Sequence, residues 1–353
     1  MVLGTRPEII KMSPVVRALA KAGAPFFVLH TGQHYTFEMD RVFFENLGLE
    51  EPAYNLHVGS GSHAEETAKM LLGIADVLVK RKVTGILVEG DTNTVLAGAL
   101  AASKLGVRVG HVEAGLRSGD RTMPEELNRI VTDHLSDVLF APTPSARENL
   151  LREAVPDSKI VVTGNTVVDA VMQNIKLAAR VDVGELTGGG EYMLATLHRQ
   201  ENVDSTQRLR RLLRGLQMAA EATGLPVVWP AHPRAKKAVS RQGLRVDPRL
   251  VRVIPPVDYL HFLRLEKEAS LVLTDSGGVQ EEACILEVPC VTLRDNTERP
   301  ETIEVGANEL AGAEPGSIAS GAKRMITKHG GWKNPFGDGR AAERIVRAWC
   351  PAP

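Results

Sequence analysis

Three acidic residues fall directly after apolar runs in the first half of the chain. Asp91 follows GILVEG in GILVEGDT, Glu113 follows VGHV in VGHVEAGLR, and Glu125 opens the helical pattern of MPEELNR. Ligands of open α/β sheets sit beyond the carboxyl ends of the strands, so polar residues at these junctions carry the chemistry. Each has a plainer reading: Asp91 or Glu125 as a charge at a helix terminus, Glu113 as the partner of Arg117 or Arg129. Three carboxylates converging in one place have a sharper consequence, because they raise one another's pKa and some can act as acids while others act as bases. Earlier in the chain, Gly4-Thr5-Arg6-Pro7-Glu8 follows a short strand and opens a helix, offering free backbone N–H groups and the Arg6 guanidinium to an anion.

The second half carries a different set. His198-Arg199 follows the strand YMLAT, and His232-Pro233-Arg234 follows VVWPA; a His-Arg pair at a strand end suits a diphosphate. The sharpest local motif is TDSGGVQEEA, residues 274–283. Gly277 and Gly278 let backbone approach a phosphate at a helix N-terminus, and Ser276 adds a hydroxyl. Glu282, one turn further on, can accept from both hydroxyls of a ribose. No Gly-Lys-Ser/Thr ending makes this a P-loop, and no GxGxxG opens either half.

Short β-rich runs position these residues: 26–30, 85–90, 107–113, 138–143, 160–165, 192–198, 226–232, 251–256, 271–276 and 289–294. Helix-length segments lie between them, among them Pro14–Ala22, Ala64–Arg81, Thr94–Leu105, Glu125–Leu135 and Gln280–Leu286, with a last helix over Arg340–Trp349. Strands that are nearly continuously apolar and alternate with helices predict parallel sheets covered on both faces. At 353 residues the chain exceeds the usual size of a single core. The expected organisation is an α/β protein of two Rossmann-like, doubly wound domains, 1–168 and 169–338, followed by a C-terminal helix, 339–353, that packs back on the first. A net charge of −1 provides no general field for nucleic acid or an anionic membrane. Cys284, Cys290 and Cys350 lack metal-ligand spacing and read as thiols of a reducing cytosol. No metal and no cofactor are expected, and no apolar stretch suggests export or membrane spanning.

Taken in order, GTRPEIIKM, TGQHY, GDTNT, GHVEAGLRSG, PEELNR, VTGNTVVDA, TLHRQEN, TDSGGVQEEA, LRDNTERPE and NPFGDGRAAERI resemble the non-hydrolysing UDP-N-acetylglucosamine 2-epimerases from end to end. The resemblance implies two Rossmann domains facing across a cleft, as in B-type glycosyltransferases. It also implies a cytoplasmic homodimer that interconverts UDP-GlcNAc and UDP-ManNAc, with UDP as the other ligand. Matched by motif, Asp91, Glu113, Glu125 and His198 are the catalytic positions. Arg6 and the segment 255–262, ending at Phe262, fall near uracil; Ser276, Gly277 and Gly278 on the diphosphate; Glu282 on the ribose. Lys11, Arg117, Arg199, His232 and Arg299 complete the substrate-binding set.

The C2 proton of such a sugar is not acidic, so the open route is elimination of UDP to a 2-acetamidoglucal, followed by re-addition with the proton delivered to the other face. Two needs follow: preorganised positive charge for the departing diphosphate, and proton transfer on both faces of C2. Two departures from the family pattern stand out. The first strand has only residues 1–3, which is expected to weaken the edge of its sheet. The segment 59–71 differs from bacterial members that bind an activating second UDP-GlcNAc there, although Gln33 and His34 of TGQHY retain part of that allosteric site. The segment resembles archaeal members and relatives acting on C3-modified or oxidised UDP-sugars, the latter an alternative substrate. A B-type glycosyltransferase, a hydrolysing epimerase and a binding-only regulator are the competing readings; the paired acid–base residues weigh against the first and last.

Overall fold

The computed structural model describes residues 1–32 and 44–350, so Gln33 and His34 lie outside the described residues. The chain divides into two compact units, Met1–Gln173 with Phe336–Pro353, and Asn174–Pro335.

In the first unit, β1 (Val2–Leu3), β2 (Leu29–His30) and β3 (Tyr54–Asn55) form one parallel sheet. A second is built from β4 (Gly85–Glu89), β5 (Arg108–Val112), β6 (Val138–Ala141) and β7 (Ile160–Val162), in that order and again parallel. β1 neighbours β4, but a two-residue strand forms no ladder to it among the described residues. The order of strand connection reverses there: β1 leads to β2 on one side, while β4 leads to β5 on the other. Such a switch point opens a crevice at the strand ends, into which Gly4–Glu8 and Asp91 emerge.

The helix expected at Pro14–Ala22 instead runs over Arg6–Lys21 and passes through Pro14. Proline removes the N–H that would bond Ile10 O, a loss that usually breaks a helix. Here the Ser13 hydroxyl donates to Ile10 O at 2.8 Å and fills the gap. The helix Ala341–Trp349 belongs to this unit, its first N–H groups capped by Asp169, with Ala341 N and Ala342 N donating at 3.1 and 3.0 Å. Its Trp349 lies over Gly85 and Gly110, where an added Cβ would come within 2.7 and 2.9 Å of the indole. Only glycine leaves that seat open.

The second unit holds one six-stranded parallel sheet of β8 (Met193–Thr196), β9 (Val227–Pro230), β10 (Val251–Ile254), β11 (Leu271–Thr274), β12 (Cys290–Thr292) and β13 (Asn308–Leu310). Its spatial order, β10-β9-β8-β11-β12-β13, is the Rossmann order 3-2-1-4-5-6. Met193, Ala195, Leu273 and Val291 of the sheet and Leu209, Leu212, Leu216 and Ile318 of the covering helices share one buried core. The switch point falls between β8 and β11, paired through Thr196 and Thr274. His198 follows one of these strands and Asp275-Ser276 the other.

Candidate functional site

Beyond the ends of β4 and β5, one ammonium serves two carboxylates. Lys11 Nζ lies 2.5 Å from Glu113 Oε1 and 3.5 Å from Glu89 Oε1, and all three residues are buried. Asn165 Nδ2 donates to the same Glu113 oxygen at 3.1 Å. Glu113 takes the left-handed conformation, with φ +72°. A non-glycine side chain there costs of order 1 kcal/mol, and such strain persists where the surroundings over-determine it, commonly at functional sites. The turn is fixed because Glu113 N and Ala114 N both donate to Phe140 O, at 3.1 and 3.2 Å. Glu8 lies close by, accepting from Gly4 N at 2.6 Å, Thr92 Oγ1 at 2.6 Å and Thr5 Oγ1 at 3.1 Å. Burial, helped by Asp91, outweighs these bonds and pushes the Glu8 carboxyl up to about 7.

The helix Pro124–Leu135 supplies the supports. Arg129 bridges Asp91 Oδ2 and Glu126 Oε2, both at 2.6 Å, while Asn128 Nδ2 donates to Asp91 O at 2.9 Å. Asp91 is thus held from both its backbone and its carboxylate. Glu126, next to the candidate Glu125, is fully occupied structurally: it accepts from Ser118 N at 3.0 Å and Gly119 N at 2.9 Å, pinning the loop after Glu113. Glu125 is half-buried in the first turn of the helix. Arg117 is engaged by Glu153, at 2.6 and 2.7 Å, and by Asp133 at 2.8 Å. Asp133 is also 2.7 Å from His111 Nδ1, whose Nε2 reaches Gly90 O at 2.8 Å, so a buried chain of polar groups braces the turn that presents Asp91. Of the sequence candidates in this unit, Lys11 and Glu113 meet directly, and Asp91 is held by Arg129 and Asn128. Arg6, half-buried, begins the helix that carries Lys11.

In the second unit, His198 Nδ1 is 2.9 Å from Asp275 Oδ1. The backbone N–H groups of His198 and Arg199 each donate to Asp275 Oδ2 at 3.0 Å, as does Asn202 Nδ2. Burial alone would raise the Asp275 carboxyl, but His198 and these donors hold it below its ordinary range. The Asp275 carboxylate behind the ring fixes the orientation of the imidazole through Nδ1. Asp275 was not among the sequence candidates. It stands inside TDSGG, and only the separation of 77 positions from His198 hides the pairing.

The helix expected at Gln280–Leu286 begins earlier and covers Gly277–Ile285, with Ser276 Oγ accepting from Val279 N at 3.4 Å as its cap. Gly277 and Gly278 are therefore its first turn, whose N–H groups lack intrahelical acceptors. An added Cβ would meet nothing closer than 3.6 Å at Gly277 or 3.9 Å at Gly278, so protein packing does not demand either glycine. The open approach suits a phosphate. Arg199 lies 3.9 Å from Glu298, which is itself clamped by Arg294 at 2.8 Å, and Arg299 Nε pairs with Glu281 at 2.5 Å. His232 caps the helix Pro233–Arg241 through Nδ1, 3.3 Å from Arg234 N, with its ring centroid 6.5 Å from that of His198. Phe262 lies in the helix Tyr259–Glu268 and is half-buried. Glu282 is buried beside Glu266, whose carboxyl is pushed well up by burial and then by Glu282. Among the described residues no cluster of His, Cys, Asp and Glu could hold a metal ion, and no helix is long and apolar enough to cross a membrane.

Two Rossmann-type units, one bearing buried carboxylates and the other a phosphate-ready helix turn and a His–Asp pair, define an α/β enzyme of the B-type glycosyltransferase class that handles nucleotide sugars. Residues 17–349 match the family model of UDP-N-acetylglucosamine 2-epimerase, and the chain belongs to that family. It is 53% identical to the UDP-N-acetylglucosamine 2-epimerase of Methanocaldococcus jannaschii over 98% of this chain and 97% of that one. It is 42% identical to the UDP-2,3-diacetamido-2,3-dideoxy-D-glucuronate 2-epimerase of Pseudomonas aeruginosa over 98% and 97%. The crystal structure of the M. jannaschii enzyme in complex with UDP-GlcNAc and UDP superposes with a TM-score of 0.95, covering 99% of both chains.

Proposed function

We propose that this protein interconverts UDP-GlcNAc and UDP-ManNAc by inverting C2 of the sugar through elimination and re-addition of UDP. The observation that carries the reading is the Glu113 carboxylate, held in a strained turn by Lys11 and Asn165, in a unit that also anchors the carboxylate of Asp91 through Arg129. Binding alone needs no such arrangement; proton transfer does. In the forward direction a carboxylate takes the C2 proton, the C–H electron pair becomes the C1–C2 double bond, and the C1–O bond breaks with its electrons leaving on UDP. The developing phosphate charge is met by the Gly277 and Gly278 N–H groups, Ser276, His198 and Arg199. Return of UDP to C1, with a proton delivered to the opposite face of C2 by a second acid, gives the epimer. Asp91, Glu113 and Glu125 are the groups assigned to these transfers. Lys11, Arg117, His232 and Arg299 act in binding, with Arg6 and Phe262 toward uracil and Glu282 on the ribose.

We read the enzyme as a cytoplasmic homodimer without metal or redox cofactor. Greater identity to the UDP-GlcNAc enzyme than to the diacetamido-glucuronate enzyme favours the simpler sugar. Incubation with UDP-GlcNAc in D₂O, followed by proton NMR, tests the reading. UDP-ManNAc with deuterium at C2 is expected; product retaining its C2 hydrogen would overturn the mechanism, and free ManNAc would indicate hydrolysis instead.

A further inference from the structure

Glu89 is the last residue of β4 and Glu113 follows the end of the paired strand β5; the side-chain contact between the two carboxyls and the Lys11 they share bring them together. Their side chains are 2% and 5% exposed, and the Lys11 ammonium reaches both. Glu8, on the same helix as Lys11, adds a third carboxyl to the surroundings. One ammonium neutralises one carboxylate, and leaving a second buried and charged costs several kcal/mol. A proton therefore stays in the cluster.

The contacts say where it sits. Glu113 Oε1 has both the short Lys11 bond and the Asn165 amide, the donor set of an ionised group. Glu89 Oε1 is buried without a hydrogen-bond partner, and its approach to Lys11 is 1 Å longer than that of Glu113, 3.5 against 2.5 Å. Burial pushes the Glu89 carboxyl well above its ordinary value; Lys11 pulls it back, and Glu113 and Glu8 push it further.

We propose that Glu89 is the proton-bearing partner of Glu113, a neutral carboxylic acid that donates to the Glu113 carboxylate and, with Lys11, orients it for proton transfer. This rests on the reading of Glu113 as an acid–base group. Glu89 gains and loses no proton over the reaction, so it is a positioning residue. Its own deprotonation at higher pH places a second negative charge beside Glu113, competes for Lys11 and lowers the rate.

The test compares Glu89→Leu and Glu89→Gln with the unaltered enzyme, using kcat and kcat/KM for UDP-GlcNAc across pH 6–10. Glu89→Leu removes the donor and should lower kcat by about 10- to 100-fold, with KM changed only a few-fold. Glu89→Gln keeps a neutral donor in the same shape and should recover most of that loss, while losing the alkaline fall in kcat/KM that belongs to Glu89. A Gln variant as impaired as the Leu variant would show that Glu89 works as an anion and would overturn the proposal. So would an alkaline limb unchanged in Glu89→Gln. If circular dichroism shows Glu89→Leu unfolded, the pH profile of Glu89→Gln decides alone. Full turnover in Glu113→Gln would instead remove the reading of Glu113 itself, whatever Glu89 does.

Discussion

Replacing Glu8 by Gln should stabilise the first unit, and more so as the pH rises. Glu8 is 2% exposed and its carboxyl is moved from an ordinary value of 4.5 to about 7, chiefly by burial. Below pH 4.5 the side chain is protonated whether the chain is folded or not, so charge contributes nothing. Between 4.5 and 7 the folded state keeps a proton that the unfolded state releases, and stability falls as pH rises. At 1.36 kcal/mol for each pH unit of that interval, the loss approaches about 3 kcal/mol at pH 8. Glutamine escapes it. The amide can keep the geometry, because its oxygen can accept from Gly4 N while its NH₂ donates to the Thr5 and Thr92 hydroxyls, which accept as readily as they donate. Hydrogen exchange of peptides from Arg6–Lys21 in the two proteins, compared at each pH from 5 to 8, cancels the intrinsic pH dependence of exchange. Protection of the variant relative to the parent should grow with pH and level off above 7. A difference independent of pH, or one that increasingly favours the parent, would refute the burial argument.

Asp91→Asn, Glu113→Gln and Glu125→Gln should each lower turnover by about 10²-fold or more, read by product formation and by C2 deuterium exchange; a variant that exchanges C2 without epimerising identifies a group needed only on the second face. Asp275→Asn removes the charge opposite His198 and should weaken UDP binding about tenfold or more by calorimetry, whereas unchanged affinity would separate the His–Asp pair from the diphosphate. Ser276→Ala should cost about 1 kcal/mol in UDP affinity, as expected for one hydrogen bond among several, and no change would take the hydroxyl off the ligand. Burial pushes the thiol of Cys284 up to about 12 and that of Cys290 well above its ordinary range, while Cys350 is exposed. A thiol reagent should therefore titrate one cysteine in the native protein and three after denaturation; rapid labelling of Cys284 or Cys290 would contradict their burial.

Apolar runs bounded by turn residues were sufficient to locate ten strands, because a strand covered on both faces must be apolar along its whole length. Each observed strand is shorter than its apolar run at one end or both, as with Gly85–Glu89 against 85–90 and Leu271–Thr274 against 271–276. Among the residues dropped at the C-terminal ends are the polar groups Glu113, His198, His232, Asp275 and Ser276. Tyr54–Asn55 and Asn308–Leu310 were not legible: they are two and three residues long, half polar, and become strands only because a neighbouring strand offers its backbone. The motif residues Asp91, Glu113, His198 and Ser276 could be named from sequence, since strand-end position is a local property. What tertiary structure alone decided is partnership. Lys11 and Glu113 are 102 positions apart, and His198 and Asp275 are 77 apart. The roles of Glu8, Glu89 and Asp275 depend on burial and on which charge lies opposite, quantities that no local pattern encodes because they are set by side chains arriving from other strands.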